Sequence, residues 1–203
     1  MSINAIHKGN PTYCLDCGVA SKWCCCSQIS SKKSKVKIVL LLHENEPSRP
    51  TSTSKIILKT LPNAENYIWK RNEPPSTLIE QINDKDTDAW LLFPADRPEL
   101  KARQQAIKID HKRNTLIIVP DGTWKEVRKI VRKSPWLADL PLLAFDPQTP
   151  SRYDLRRNPD LDHLCTAETV IELLELCEDK TPAENLTHAF DSFLTCYKAS
   201  KRN

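Results

Sequence analysis

The chain has 203 residues, of which 39% are hydrophobic, and its formal net charge is +4. This length allows one sizeable core with appendages and is short for two independent catalytic domains. Because the net charge is small, any nucleic-acid footprint must come from local clustering of cations. The only glycines are Gly9, Gly18 and Gly122, which excludes a Rossmann or Walker glycine-rich loop and the enzyme classes that depend on one.

Five of the eight cysteines lie within residues 14–26. No run reaches the roughly 18 apolar residues of a membrane span, and the N-terminus lacks the apolar core of a signal peptide. We therefore expect a soluble, cytoplasmic protein, in which crowded cysteines indicate a metal site rather than disulfides. Four of them suit tetrahedral structural zinc, with incidental or redox-active thiols as the alternative. The predicted ligands are Cys14, Cys17, Cys24 and Cys26.

After a basic link at residues 30–37, apolar runs alternate with helical patterns. The apolar runs are continuous rather than alternating, which predicts a mostly parallel α/β sheet flanked by helices on both faces. In chain order, the predicted elements are a strand at 36–42, a helix at 54–61, a strand at 67–69, a helix near 78–82, a strand at 89–93, weak helix at 98–109, a strand at 115–119, a helix at 123–133, a strand at 140–145, and helices at 166–177 and 183–198.

A predicted buried strand turns into a helix at Asp121-Gly122-Thr123-Trp124. Ligands of open α/β sheets bind at the carboxyl ends of strands, where helix N-termini also lie. Thr123 and Glu126 form a predicted capping box and Gly122 suits a tight turn, so both have structural explanations. Asp121 is either a catalytic acid or a helix-dipole partner, and Trp124 either stacks on a ligand or faces the core.

The helix at 123–133 is predicted to carry cations on the side opposite its apolar residues. Such a stripe is either a solvated face or a surface for a polyanion, and it begins at the expected ligand end of the sheet. The cations are Lys125, Arg128, Lys129, Arg132 and Lys133.

The residues Asp121, Thr123 and Trp124 resemble the signature of the DTW-domain family. Further segments resemble the family in the same order along the chain. They are His43-x-x-Glu46-x-x-Arg49 with Thr51 and Thr53, Leu91-Leu92-Phe93-Pro94, Tyr153-x-x-Arg156, and Leu164-Cys165-Thr166-x-Glu168. Ser52 and Ser54 depart from the pattern, and the stretch 97–113 is long for the family.

The resemblance implies a SPOUT-like fold with a C-terminal knotted region at residues 31–203, after a zinc-binding segment at 1–30. It implies a transferase that moves the 3-amino-3-carboxypropyl group of S-adenosylmethionine to N3 of a tRNA uridine, the variable-loop U47, and releases methylthioadenosine. The partner is then tRNA. The alternatives are a knotted S-adenosylmethionine-dependent RNA methyltransferase and a non-catalytic zinc-ribbon RNA-binding protein.

Site residues follow from the same resemblance. Asp121 is the candidate that accepts or orients the N3 proton, although an acid at a helix N-terminus is a weaker base. Trp124 is the second catalytic candidate, through stacking on a base. The expected cofactor-binding residues are Phe93, Pro94, Pro120, Gly122, Thr123, Leu164, Cys165 and Thr166. The expected tRNA-binding residues are Arg49, Lys125, Arg128, Lys129, Arg132 and Arg156.

Overall fold

A computed structural model describes residues 13–110, 112–143, 151–153, 155 and 164–202. The chain divides into two compact units. We call residues 35–46 and 64–146 the sheet unit, and residues 1–34, 47–63 and 147–203 the helical unit. The Cys-rich segment belongs to the helical unit, and the domain boundary expected after residue 30 stays a prediction.

The sheet unit contains five strands, all parallel, in the order β2-β1-β4-β3-β5. The predicted parallel α/β class is therefore confirmed. Strands β1 and β4 are apolar and buried along nearly their whole length, as expected for strands covered on both faces. The strands are β1 (Lys37–His43), β2 (Glu65–Trp69), β3 (Thr87–Leu92), β4 (Asn114–Asp121) and β5 (Leu142–Leu143).

Strand β4 is longer than predicted, since it continues through Pro120 and Asp121. Its pairing with β3 ends at Ile118, whereas its pairing with β1 continues until Asp121 lies opposite Leu42. Pro120 thus lies where one neighbouring strand has already ended, a position that tolerates the missing amide proton.

Three helices belong to the sheet unit: α2 (Ser76–Ile82), α3 (Pro98–Lys101) and α4 (Trp124–Arg132). Helix α4 buries Val127 and Ile130 in a core that also contains Val39, Leu41 and Ile118. The predicted capping box is confirmed, because the Thr123 side chain accepts from the Glu126 amide while the Glu126 carboxylate accepts from the Thr123 amide.

The helix expected at 98–109 is wrong beyond its first turn. After Lys101 the chain turns, and the backbone of Arg103 and Gln105 hydrogen-bonds to Leu142 of β5. Edge pairing with β5 has displaced the weak helical preference of this stretch. The strand expected at 140–145 contains only Leu142–Leu143 among the described residues, and residues 144 and 145 lie outside them.

The helical unit contains α1 (Ser54–Thr60), α5 (Thr166–Leu176) and α6 (Lys180–Arg202). The helix predicted at 183–198 is confirmed within α6, in which Leu186, Ala189, Phe190 and Phe193 are fully buried. Within the described residues, no helix is long and apolar enough to cross a membrane. Residues 144–150 and 156–163, in the region where a knot is predicted, lie outside the described residues, so the knot stays a prediction.

Candidate active site

Asp121 is the last residue of β4, the central strand of the sheet, and only 4% of its surface is exposed. All five strands run in the same direction, so their carboxyl ends form one edge, which is the edge where α/β sheets bind ligands. The structure therefore places the predicted acid at the expected edge, buried beside the turn that starts α4.

The side chains at this edge are divided between the two faces of the sheet. Leu116 and Ile118 of β4 lie in the core shared with α4, and side chains alternate along a strand. By that alternation Asp121, like its register partner Leu42, points to the face opposite α4. The acid and the basic face of α4 thus belong to different sides of the sheet.

His43, the last residue of β1, lies on the α4 side and is 3% exposed. Its Nδ1 is 3.3 Å from Oε1 of Glu126, and its ring stacks on Trp69 with centroids 5.8 Å apart. Sequence reasoning left His43 out of the catalytic residues and treated Glu126 only as a cap. The feature that could have indicated a functional role for His43 is its position at the end of a buried strand that adjoins β4.

The two nitrogens of the His43 ring have different surroundings. Nδ1 can accept a hydrogen bond from the Asn45 amide at 3.4 Å, which requires an unprotonated Nδ1, and it also lies near the Glu126 carboxylate. A carboxylate is the stronger partner and favours the tautomer with the proton on Nδ1. Nε2 is buried and has no hydrogen-bond partner among the described residues, so in this tautomer it presents a lone pair.

Gly122 is required by the close approach of β1 and α4. A Cβ at this position would lie 3.1 Å from Cβ of Glu126 and 3.3 Å from Cβ of His43, closer than ordinary contact. The absence of a side chain thus allows the β4-to-α4 turn to pass beside the His43–Glu126 pair.

Trp124 begins α4 and remains 37% exposed, unlike Val127 and Ile130 of the same helix. The core role that the sequence left open for Trp124 is therefore wrong. The guanidinium carbon of Arg128 lies 5.9 Å from the ring centroid of Trp124, which is within cation–π range.

The basic face of α4 is only partly free of counter-charges. Arg128 forms an ion pair with Asp96, and Nζ of Lys129 lies 5.5 Å from the ring centroid of Trp69. Lys125 and Arg132 are exposed. Asp96, which the sequence analysis did not single out, therefore reduces the positive charge of the stripe.

The predicted cofactor residues of the sheet unit lie at one edge, since β3 and β4 are neighbours. Pro94 follows β3, and Pro120, Gly122 and Thr123 lie at the end of β4 and the start of α4. Phe93 is a core residue with a buried side chain, so only its backbone is available to a ligand.

The remaining cofactor candidates lie in the helical unit, where Glu168 organises them. Its carboxylate accepts hydrogen bonds from the amides of Cys165 (2.8 Å) and Arg152 (2.6 Å) and from the Ser151 hydroxyl (2.8 Å). Leu164 and Thr166 flank Cys165 in this turn.

The N-cap of α5 is Cys165, and Thr166 is the first residue of the helix. Burial raises the pKa of the Cys165 thiol, with the Glu168 charge acting in the same direction. Cys165 therefore stays a neutral thiol.

Segments distant in sequence also meet within the helical unit. The Tyr153 hydroxyl donates to the carbonyl of Thr51, and the amide of Ala167 donates to Oγ1 of Thr53 at 3.1 Å. Arg49 is half-buried just before α1, and its carbonyl accepts from the amide of Ser52. Arg156 lies outside the described residues.

The four predicted zinc ligands come together, with their sulfur atoms all within 4.8 Å of one another. A zinc tetrahedron with Zn–S bonds of about 2.3 Å has sulfur–sulfur edges of about 3.8 Å. The Cys14–Cys26 and Cys17–Cys24 sulfur distances are 3.6 and 3.9 Å. The cluster can therefore hold a zinc ion.

The fifth cysteine of the segment has a different relation to the cluster. A hydrogen bond from Cys25 is the main reason that the pKa of Cys17 falls to about 4. Cys25 thus donates to the sulfur of a candidate ligand and is not itself one of the four cysteines that could hold the metal.

The sequence model described as the DTW domain matches residues 11–198. No solved structure matches the chain. The match covers the Cys-rich segment, the Asp121–Trp124 turn, the Glu168 network and most of α6. The chain therefore belongs to the DTW-domain family, whose members are generally tRNA-modifying enzymes.

Proposed function

We propose that this protein transfers the 3-amino-3-carboxypropyl group of S-adenosylmethionine to N3 of a tRNA uridine, the variable-loop U47. The observation that carries the proposal is the buried carboxylate of Asp121 at the carboxyl end of the central strand, the edge at which parallel α/β sheets bind ligands. Membership of a family of tRNA-modifying enzymes supports tRNA as the substrate.

The reaction requires the uracil N3–H to lose its proton as N3 forms a bond to the γ-carbon of the transferred group. The carbon–sulfur bond breaks, the bonding electron pair stays on sulfur, and methylthioadenosine leaves. A protein group must accept or orient the N3 proton within hydrogen-bond reach. In the proposal, Asp121 takes this role, and burial keeps competing water from its carboxylate.

His43 is a second candidate base in the sheet unit. In the tautomer favoured by Glu126, its Nε2 is a buried lone pair that has no acceptor role among the described residues. The imidazole–carboxylate pair resembles the arrangement by which a carboxylate orients a general base. His43 and Asp121 point to opposite faces of the sheet, so only one of them contacts the uracil base. The proposal assigns this contact to Asp121, and His43 is the alternative.

In the sheet unit, the proposed cofactor contacts are the rings of Pro94 and Pro120 and the backbone of Gly122. In the helical unit, Leu164, Cys165 and Thr166 stay the candidates that the family resemblance implies. S-adenosylmethionine supplies the electrophilic carbon and the sulfonium leaving group. The space that a Cβ would take at Gly122 is filled by Glu126 and His43, so the proposed contact there is the backbone of the turn.

The exposed cations of α4 are the proposed tRNA contacts. Lys125 and Arg132 are exposed and have no ion pair among the described residues. Phosphate contacts position the RNA without reading its sequence, so these residues bring the uridine to the edge while Trp124 is available to stack on a base.

The decisive experiment uses unmodified tRNA and S-adenosylmethionine labelled in either the methyl or the carboxyl carbon. Entry of the carboxyl label alone into RNA supports the proposal. Entry of the methyl label identifies a methyltransferase, and entry of neither label favours a non-catalytic RNA-binding protein.

The Asp121→Asn variant tests the assigned role of the acid. We expect carboxyl-label transfer to fall at least 100-fold, in the usual range for loss of acid–base catalysis, while tRNA affinity stays within threefold of the wild type. Full transfer by this variant would remove Asp121 from the proposal.

A further inference from the structure

A buried cation lies beside the cysteine cluster. Lys55, the second residue of α1, is only 7% exposed. Its side chain lies over Gly18, the residue that follows Cys17, and its Nζ would be 3.5 Å from a Cβ placed on that glycine. Burial lowers the pKa of Lys55, and the charges of Cys17, Cys14 and Asp16 oppose that shift.

A buried ammonium is costly unless it is paired, because burial removes its hydration. Lys55 makes no hydrogen bond or ion pair to a carboxylate within the described part of the chain. The one neighbouring carboxylate, Asp16, is 3.0 Å from Nζ of Lys59 instead. The thiols of the cluster are therefore the groups available to offset the Lys55 charge.

The charge of a metal site matches this need. One Zn²⁺ bound by four thiolates carries two net negative charges. Metal binding thus fixes negative charge beside Lys55. The ammonium is therefore better compensated with the metal than without it.

The turn that contains Cys14 and Cys17 also contacts Lys55. Gly18 has φ of +77°, a conformation that favours glycine, and its amide donates to the carbonyl of Cys14 at 2.9 Å. A Cβ at this position would be in ordinary van der Waals contact with the Lys55 stem, at 3.4 Å. The turn that contains Cys14 and Cys17 therefore packs directly against the Lys55 side chain.

We propose that Lys55 is the buried counter-cation of a zinc tetrathiolate formed by Cys14, Cys17, Cys24 and Cys26, and that it sets the metal affinity of the site. Lys55 binds no metal itself and acts as a positioning residue. It couples the metal to α1, a helix whose N-cap Thr53 accepts a hydrogen bond from the start of α5.

The test compares the full-length wild type with Lys55→Met, which keeps the stem and removes the charge. Lys33→Met is the control, since Lys33 is an exposed cation of the helical unit and has no ion pair among the described residues. Zinc content is measured by elemental analysis, and zinc affinity by competition with a chromophoric chelator. Lys55→Gln serves as a second neutral variant if the methionine variant does not fold.

We expect one zinc ion per wild-type chain, and a zinc affinity that falls about 10- to 100-fold in the Lys55 variants, as for other residues that support metal ligands from outside the coordination shell. The control is expected to change by less than threefold. Urea unfolding adds a readout that a packing role does not explain: Lys55→Met lowers the midpoint of the zinc-loaded protein and raises that of the chelator-treated protein.

Three results overturn the proposal. One is a zinc affinity of Lys55→Met or Lys55→Gln that lies within twofold of the wild type. Another is a wild-type protein that binds no zinc. A urea midpoint that falls equally with and without zinc assigns Lys55 to packing alone and also contradicts the proposal.

Discussion

Nδ1 of His43 lies 3.3 Å from Oε1 of Glu126, and this contact joins the carboxyl end of β1 to the first turn of α4. The same carboxylate closes the capping box, because its Oε2 accepts from the Thr123 amide at 2.8 Å. It also accepts from the side-chain amide of Asn45 at 3.2 Å. One side chain therefore both starts the helix and orients the imidazole.

The two duties of Glu126 can be separated by a pair of substitutions. Glu126→Gln keeps a capping-box residue and loses the charge beside His43, whereas Glu126→Ala loses both. We expect the free energy of unfolding to fall by about 1 kcal/mol for Ala and by less for Gln, in line with the usual contribution of a cap. Transfer of the 3-amino-3-carboxypropyl group to tRNA should fall about 100-fold for both variants.

Urea denaturation and a transfer assay at saturating tRNA check these values. A Gln variant with wild-type turnover would show that Glu126 is only a cap. The His43→Gln variant is the companion measurement, and its turnover should fall as far as that of Glu126→Gln if the pair acts as one unit.

Gly122→Ala tests the close approach of the turn to the His43–Glu126 pair. The added methyl would lie 3.1 Å from Cβ of Glu126 and 3.3 Å from Cβ of His43, so the turn or the pair must shift. We expect a loss of about 1 to 3 kcal/mol in the free energy of unfolding, as for overpacking elsewhere. Thr123→Ser, which keeps the cap hydroxyl, should change it by less than about 0.5 kcal/mol. Equal urea midpoints for Gly122→Ala and the wild type would contradict the steric account.

Local patterns explain how much of this site was predictable. The capping box joins residues only three positions apart, so the sequence predicted it. The continuous apolar runs of β1 and β4 are typical of buried strands, and these two strands were predicted as well. The His43–Glu126 contact depends on β1 lying beside β4 in the sheet. The sequence of neither strand predicts this order, so the contact was not predicted. The same holds for Lys55, which reaches the cysteines only because of where α1 packs in the helical unit.

The ion pair between Arg128 and Asp96 leads to a prediction about tRNA binding. Asp96→Asn removes a negative charge beside the stripe, so tRNA should bind more tightly and with a steeper dependence on salt. Lys125→Gln should weaken binding and reduce the salt slope by about one phosphate contact. Lys85→Gln is the control, because Lys85 is exposed and precedes β3 at the opposite edge of the sheet.

Filter binding at several potassium chloride concentrations gives both the affinity and the slope. The three variants should rank Asp96→Asn above the wild type, Lys85→Gln equal to it, and Lys125→Gln below it. If Lys85→Gln weakens binding as much as Lys125→Gln does, the RNA follows net charge and not the basic face of α4.

Trp124 is the residue for which exposure decides between two roles. A core tryptophan would cost about 3 to 5 kcal/mol of unfolding free energy on truncation, but Trp124 is 37% exposed at the start of α4. We therefore expect Trp124→Ala to change the urea midpoint little. Loss of base stacking should instead cost about 1 to 3 kcal/mol of tRNA interaction, or roughly a 10- to 100-fold fall in kcat/KM. Trp124→Phe keeps an aromatic face and should recover most of that loss. A Phe variant as impaired as the Ala variant, at unchanged stability, would mean that the indole acts through its N–H or through the Arg128 contact and not by stacking.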